Sequence, residues 1–266
     1  FCSSSMKLSF SKYQGTGNDF IMLDNFSGQY DNLSIPDIQL ACDRKFGIGA
    51  DGLILLAQHP SSDFEVIYYN ADGTQSFCGN GARCAVAFAA ALGKLKSANT
   101  SFMAIDGLHE AAICQDEVKL KMSDVSPIQL RGKDFELNTG SPHYICLDDD
   151  HSNAHIEQLG KQIRYNDTYK AQGINVNLMS ILEDGLRVAT YERGVEAETL
   201  SCGTGVTAAA LVYAQLQNIS TGSVKVQTKG GQLQVQWQTQ PDGSFTDVYL
   251  TGPAQFIFNG TYEPSR

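Results

Sequence analysis

The sequence predicts an α+β protein made of two related halves, each combining sheet with a single buried helix. Three observations carry this. Two helical stretches, Ala82 to about Leu92 and Val206 to about Leu216, are apolar nearly all round, so they belong inside a domain rather than on its surface. Each follows the same element, Cys78-Gly79-Asn80-Gly81 in one case and Cys202-Gly203-Thr204-Gly205 in the other, and each element follows a strand. The spacing recurs too: 124 residues separate Cys78 from Cys202, and 123 separate Thr16-Gly17 from Thr139-Gly140 and Tyr68 from Tyr191. A doubly wound sheet would need more helices between its strands.

Phe64-Glu65-Val66-Ile67-Tyr68-Tyr69 reads as a strand and Asn70-Ala71-Asp72-Gly73 as the turn that ends it. The first apolar helix closes at Gly93, a residue that tolerates the left-handed conformation common at helix ends. Val118-Lys119-Leu120-Lys121-Met122 is strand-like, and Ser123 to Pro127 marks a boundary. In the second half Leu186-Arg187-Val188-Ala189-Thr190-Tyr191 is the strand before the cysteine. Gln232-Leu233-Gln234-Val235-Gln236-Trp237 then alternates polar with apolar and turns at Pro241-Asp242-Gly243 into Val248-Tyr249-Leu250, a hairpin with one wet face. The expected domains are residues 6–123, completed by a last strand at about 255–266, and residues 124–254.

The 266 residues are 42% hydrophobic and 18% charged with 25 Gly and 7 Pro, which excludes collagen-like and disordered classes. Acidic residues outnumber basic ones 29 to 19, giving a net charge of −10 without any Lys/Arg cluster, so neither nucleic acid nor an anionic membrane is expected as a partner. The longest apolar run, Cys84 to Leu92, is nine residues, against the roughly 20 needed to span a bilayer. The opening Phe1-Cys2-Ser3-Ser4-Ser5 has neither a cationic nor an apolar stretch, and Met6 is expected to be the true start. Seven cysteines, an odd number without an export signal, point to reduced thiols in the cytoplasm. No C-x-x-C occurs, and His59, His109, His143, His151 and His155 share no short window with paired cysteines, so no metal is expected.

Chemistry is expected at Cys78 and Cys202. The first N–H groups of a helix lack partners within it, and the helix dipole favours negative charge there. A thiol in that position is biased toward thiolate, and a carboxylate can be held by the exposed N–H groups where glycine lets it approach. One isolated C-G-x-G would more often be a tight turn with a buried filler; two in matching places of a repeat argue against that. A structural disulfide between Cys78 and Cys202 is disfavoured by the reducing compartment, and Cys2, Cys42, Cys84, Cys114 and Cys146 lack the motif. Two opposed thiols suit a proton transfer that inverts a stereocentre, one sulfur removing a proton from one face of a carbon while the other delivers one to the opposite face. Gly15-x-Gly17 is followed by Phe20 where a dinucleotide fingerprint needs glycine; no Walker A sequence or pyridoxal site is found, and no cofactor is expected.

Three runs of residues resemble the diaminopimelate epimerase family: Gly15-Thr16-Gly17-Asn18-Asp19-Phe20; Asn70-Ala71-Asp72-Gly73 with Cys78-Gly79-Asn80-Gly81-Ala82-Arg83-Cys84; and Tyr191-Glu192-Arg193-Gly194 with Glu198-Thr199 and Cys202-Gly203-Thr204-Gly205. The resemblance runs from about Lys7 to Gly260. It implies two pseudo-symmetric domains, each a curled mixed sheet around a central buried helix, with the active site between them. It also implies cofactor-independent interconversion of LL- and meso-2,6-diaminopimelate in lysine and peptidoglycan biosynthesis. Carried over residue by residue, it makes Cys78 and Cys202 the acid and base, with His143 and Glu192 as a supporting pair. Asn18, Asn70, Asn175 and Arg193 match substrate-binding positions, and Gly79, Asn80, Gly203 and Thr204 would offer helix-start donors to the reacting carboxylate. The expected partner is this small-molecule substrate, with a homodimer implied because relatives pair.

This chain departs from relatives at Ser141, where some carry Asn, and at Gly52, where others carry Gln. Its segment from Gly194 to Ser201 reads as one residue longer, because Asn70 precedes Cys78 by eight while Arg193 precedes Cys202 by nine, and the extra residue is expected to bulge. The alternatives are a proline or hydroxyproline racemase with paired cysteines, a non-catalytic amino-acid-binding module, and a redox protein cycling a Cys78–Cys202 disulfide.

Overall fold

The computed structural model describes residues 7–263, so the expected start at Met6 and the thiol of Cys2 lie outside the described residues. The chain divides into two compact units, one running up to Leu120 and resuming at Pro253, the other Lys121–Gly252. In the first unit the elements are β1 (Leu8–Gly15), β2 (Asn18–Asp24), α1 (Ile35–Cys42), β3 (Gly52–Ala57), β4 (Phe64–Asn70), α2 (Gly79–Ala91), β5 (Asn99–Ala104), β6 (Gly107–Cys114) and β7 (Glu117–Lys121). The second holds β8 (Gln129–Arg131), β9 (Asp134–Asn138), β10 (Pro142–Leu147), α3 (Asn153–Arg164), β11 (Asn175–Leu182), β12 (Gly185–Glu192), β13 (Ala197–Thr199), α4 (Gly203–Leu216), β14 (Thr221–Thr228), β15 (Gly231–Thr239) and β16 (Phe245–Pro253). The last strand, β17 (Gln255–Tyr262), returns to the first unit and pairs antiparallel with β1, Leu8 opposite Tyr262.

The pairings repeat. In the first unit the order is β17-β1-β2-β3-β4-β5-β6-β7, antiparallel except for β2–β3 and β4–β5. In the second it is β8-β9-β10-β11-β12-β14-β15-β16, antiparallel except for β10–β11 and β12–β14. Parallel neighbours need a crossover, and in each unit the two crossovers carry the two helices. The fold is therefore α+β, a mixed sheet repeated twice.

Each sheet curls around its second helix. α2 packs against β1, β2, β3, β4, β6 and β17, and α4 against β9, β10, β11, β12, β14 and β15. Being surrounded explains their composition: Ala82, Cys84, Ala85, Val86, Phe88 and Ala89 of α2, and the run from Val206 to Val212 of α4, are buried. The first crossover helix covers the opposite face. Ile38 of α1 packs with Leu53 and Leu55, while Ile54 between them lies beneath α2; Ile156 of α3 packs with Val176, Leu178 and Tyr191. Ser34 starts α1 through a capping box with Asp37.

Three expectations change. Both apolar helices begin three residues earlier than the glycines suggested, at Gly79 and Gly203, which makes each cysteine the N-cap. Gly-x-Gly is thus the first helical turn and not a turn before it. Sheet register also shifts the repeat by one residue in β4 and β12: Leu53 faces Tyr69 and Val176 faces Tyr191, so the structural counterpart of Tyr191 is Tyr69 and not Tyr68. Finally, the segment after β12 does not bulge at its strand pairing. β13 pairs regularly, Thr190 with Thr199 and Glu192 with Ala197, and Glu196 takes a positive φ of 57° to close the turn. The register makes the segment two residues longer and not one: Tyr191↔Glu198 encloses 192–197 where Tyr69↔Gln75 encloses 70–74, and one further residue precedes the cysteine.

Candidate active site in two half-sites

Cys78 and Cys202 occupy the same place in their units. Each has extended backbone, φ −132° and −117°, and neither side chain caps its helix. The first intrahelical bonds are Ala82 N–H to Cys78 O at 2.8 Å and Val206 N–H to Cys202 O at 2.9 Å, leaving the N–H groups of Gly79, Asn80 and Gly81, and of Gly203, Thr204 and Gly205, at the positive end of the helix. Cys78 is half-buried and Cys202 is 9% exposed. Among the described residues neither forms a disulfide, and nor do Cys42, Cys84, Cys114 and Cys146. Burial pushes the thiols of Cys42, Cys84 and Cys146 up, Cys42 to about 11 and the other two to about 12, which makes them inert at neutral pH.

In the second unit β10, β11 and β12 deliver polar side chains to the first turn of α4. His143 is fully buried; its Nε2 lies 2.9 Å from Thr204 Oγ1, and Thr204 Oγ1 lies 3.4 Å from Cys202 Sγ. Asn177 Nδ2 donates to His143 Nδ1 at 3.1 Å, and Thr190 Oγ1 donates to Asn177 Oδ1 at 2.8 Å. Burial lowers the His143 imidazole to about 3, with the Arg193 charge in the same direction. His143 is therefore neutral throughout the ordinary pH range. Thr139 Oγ1 anchors the turn by donating to Thr204 O at 2.8 Å. Asn175 donates to Ser141 Oγ and Pro142 O and accepts from Arg193 N–H at 2.8 Å. The Arg193 side chain is exposed, with Nη1 on Gln172 O. Glu192 is half-buried, and burial raises its carboxyl above the ordinary value.

The first unit builds its half-site from a cation. Arg83, on α2, is fully buried and donates from Nη2 to Asn80 Oδ1 at 2.9 Å and Thr16 Oγ1 at 3.1 Å, while Nη1 has no hydrogen-bond partner among the described residues. The Cys78 thiol is among the few ionisable groups whose charge Arg83 feels. With its oxygen engaged, Asn80 turns Nδ2 to Asn18 Oδ1 at 2.6 Å, and Asn18 Nδ2 donates to Asp51 at 3.0 Å. Asp51 is in turn bound by Arg44, which also joins Lys12 on Asp19. Burial opposes ionisation of Asp19, yet the Arg44 and Lys12 hydrogen bonds outweigh it and hold the carboxyl at about 2. Asn70 spends its amide on its own turn, donating to Thr74 and Ser76.

Of the expected residues, the structure gathers Asn18, Gly79 and Asn80 around the start of α2, and His143, Asn175, Gly203 and Thr204 around the start of α4. Asn70 and Glu192 are the last residues of β4 and β12, and Arg193 opens the turn after β12. Sequence reasoning gave no role to Arg83, Thr16, Thr139, Asn177 or Thr190. Asn177 and Thr190 did carry a signal, as lone polar residues within the apolar runs Val176–Met179 and Val188–Tyr191. Gly52 needs to be glycine for a structural reason: a Cβ there would lie 2.3 Å from the Tyr68 ring and 2.6 Å from Tyr69 O.

Twin sheets of this kind, each wrapped on a helix, define a class seen in solved structures. A phenazine biosynthesis protein of the PhzF family from Bacillus anthracis matches with a TM-score of 0.74 at 12% identity, covering 97% of this chain and 99% of the other. A hydroxyproline epimerase from Agrobacterium vitis, with trans-4-hydroxy-L-proline bound, matches at 0.65 and 15% identity over 97% and 92%. At these identities the likeness is one of fold. The family is narrower: the chain belongs to the diaminopimelate epimerase family, whose model matches residues 10–128 and 135–257. A diaminopimelate epimerase from Flavobacterium psychrophilum is 46% identical over 94% of this chain and 98% of its own length, and one from Chlorobaculum tepidum is 39% identical over 93% and 98%.

Proposed function

We propose that the protein is an isomerase that interconverts LL- and meso-2,6-diaminopimelate without a cofactor, in lysine and peptidoglycan biosynthesis. The observation that carries the reading is the matched placement of Cys78 and Cys202 as N-caps of the central helices in a chain of this family. One cysteine, as thiolate, takes the α-proton. The electron pair left on carbon delocalises into the α-carboxylate, and the other cysteine, as thiol, returns a proton to the opposite face. The configuration inverts and the two sulfurs exchange protonation states. Helix-start N–H groups supply the fixed positive field that the developing charge requires. Arg193, exposed and charged, suits the distal carboxylate through bidentate hydrogen bonds, and Asn18, Asn70 and Asn175 suit the amino and carboxylate groups. His143 and Glu192 support the thiols.

In deuterium oxide the enzyme is expected to convert LL-diaminopimelate to the meso form with deuterium at the inverted carbon. Turnover of proline instead would replace this reading with the racemase one, binding without exchange would leave a capture module, and dependence on an electron donor would indicate redox chemistry. Among the described residues no helix is long and apolar enough to cross a membrane, in keeping with a cytoplasmic enzyme. Pairing into a homodimer is supported by β17, where Phe256, Ile257 and Phe258 are 52%, 49% and 45% exposed. Sedimentation tests that pairing.

A further inference from the structure

We infer that Asn177, held by Thr190, is a positioning residue that fixes the tautomer of His143 and thereby makes the Thr204 hydroxyl a donor to the Cys202 sulfur. The inference deepens the proposed function, on which it rests for the role of Cys202.

The chain of donors can be followed from one end. Tyr144 O is a carbonyl and can only accept, and Asn177 lies 3.1 Å from it, so this end of the amide is Nδ2. The same nitrogen turns its second hydrogen to His143 Nδ1 at 3.1 Å, and Thr190 Oγ1 holds the amide oxygen at 2.8 Å. Nδ1 is therefore the acceptor nitrogen. In a neutral imidazole the other nitrogen then carries the hydrogen, and burial keeps this imidazole neutral. Nε2–H donates to Thr204 Oγ1 at 2.9 Å. Asn175 Nδ2 lies 3.5 Å from Nε2, but its hydrogens are committed to Ser141 Oγ at 2.9 Å and Pro142 O at 3.1 Å. Once Thr204 accepts from His143, its own hydrogen is available to Cys202 Sγ at 3.4 Å.

The opposite tautomer would reverse this. Nε2 would take the Thr204 hydrogen, and the hydroxyl could only accept from a protonated sulfur, favouring thiol over thiolate. The amide is thus a remote selector of which protonation state of Cys202 the site stabilises. The fold accommodates it at a specific cost: position 205 must lack a side chain, because a Cβ there would lie 2.4 Å from Asn177 Oδ1, 3.1 Å from Thr190 Oγ1 and 3.3 Å from His143 Cε1. The second glycine of Cys202-Gly203-Thr204-Gly205 makes room for these three residues.

Nitrogen-15 NMR of the histidine-labelled, ligand-free protein tests this directly. The expected spectrum has His143 Nε2 protonated and Nδ1 bare from mildly acidic to mildly alkaline pH; a protonated Nδ1 overturns the inference. In Asn177→Leu a protonated Nδ1 population is expected to emerge. Alkylation of Cys202 by iodoacetamide at neutral pH, followed on its own peptide by mass spectrometry, should slow about tenfold, the scale of losing one hydrogen bond to a charged group. The epimerase kcat should fall by a similar factor with KM within about twofold, since the bond matters to the reacting sulfur and not to ligand capture. Thr190→Val, which keeps the amide but frees its oxygen, should move all readouts the same way by less. It also serves if the leucine variant fails to fold. Unchanged Cys202 alkylation in a folded variant overturns the inference. The tautomer and the alkylation are read without substrate, so a protein that shows both yet leaves diaminopimelate untouched refutes the proposed function and not this device.

Discussion

Beneath the second glycine of α2 lie Phe20 and Ile54; beneath its counterpart in α4 lie His143, Asn177 and Thr190. These are the same places in the repeat. Phe20 faces Gly52 across β2–β3 as His143 faces Asn175 across β10–β11, and Ile54 faces Tyr68 as Asn177 faces Thr190. One unit therefore rests its cysteine turn on an apolar floor and the other on a hydrogen-bonded one. The helices are unlike in the complementary sense. Arg83 of α2, a buried cation, has as its counterpart Thr207 of α4, whose hydroxyl merely returns to Gly203 O at 2.9 Å. A duplicated scaffold thus offers its two thiols different electrostatics, a full charge for Cys78 and oriented neutral dipoles for Cys202. The proposed reaction needs one thiolate and one thiol at a time, and unlike surroundings give the two sulfurs unlike tendencies to ionise.

The largest expected effect treats the halves as equal. Cys78→Ala and Cys202→Ala should each lower epimerase turnover by roughly 10²–10⁴-fold with circular dichroism unchanged; substantial activity in either would break the symmetry at its root. The next separates them. Arg83→Met should slow alkylation of Cys78 about tenfold and leave Cys202 within about twofold, in line with the loss of one charged partner. Equal slowing of both sulfurs would show that the cation acts on overall stability and not on its own thiol. A smaller contrast is steric. Gly205→Ala should cost about 2–3 kcal/mol in urea unfolding, since its Cβ would lie 2.4 Å from a hydrogen-bonded oxygen. Gly81→Ala should come out near neutral, because Ile54 Cδ1 at 3.1 Å can give and alanine favours a helix. The last contrast is a pH effect. His143 titrates near 6.5 when unfolded and about 3 when folded, so its stabilising contribution is complete above about 6.5 and is lost as the pH falls toward 3. Denaturant midpoints measured across that window should fall less steeply in His143→Gln than in wild type, and parallel curves would contradict a buried neutral imidazole.

Legibility from sequence followed the same divide. The repeat, the two helices and the two cysteines could be read because period and spacing are local properties: Ala82 to Leu92 is too apolar for a surface, and Cys78 and Cys202 share their neighbours. The glycines misled by three residues, because Gly79 and Gly81 look like a turn between strand and helix, whereas both lie in the first turn of α2. The register slip that sets Tyr69 and not Tyr68 opposite Tyr191 is a matter of strand pairing, which counting along the chain cannot detect. Asn177 and Thr190 escaped notice because they acquire a role only when three strands bring them to one helix end. Arg83 escaped because surface exposure is the ordinary expectation for arginine and full burial the exception.

The strand β17 has a consequence for the order of events at the ribosome. Residues 121–252 are contiguous, and every strand of their sheet is available once they have emerged. The other sheet places Leu8 beside Tyr262, so the half translated first must wait for nearly the whole polypeptide before it can close. Until then β1 has an open edge, and nascent chains stalled before residue 255 should engage chaperones through the amino-terminal half, although Cys78 and the whole of α2 have long been synthesised.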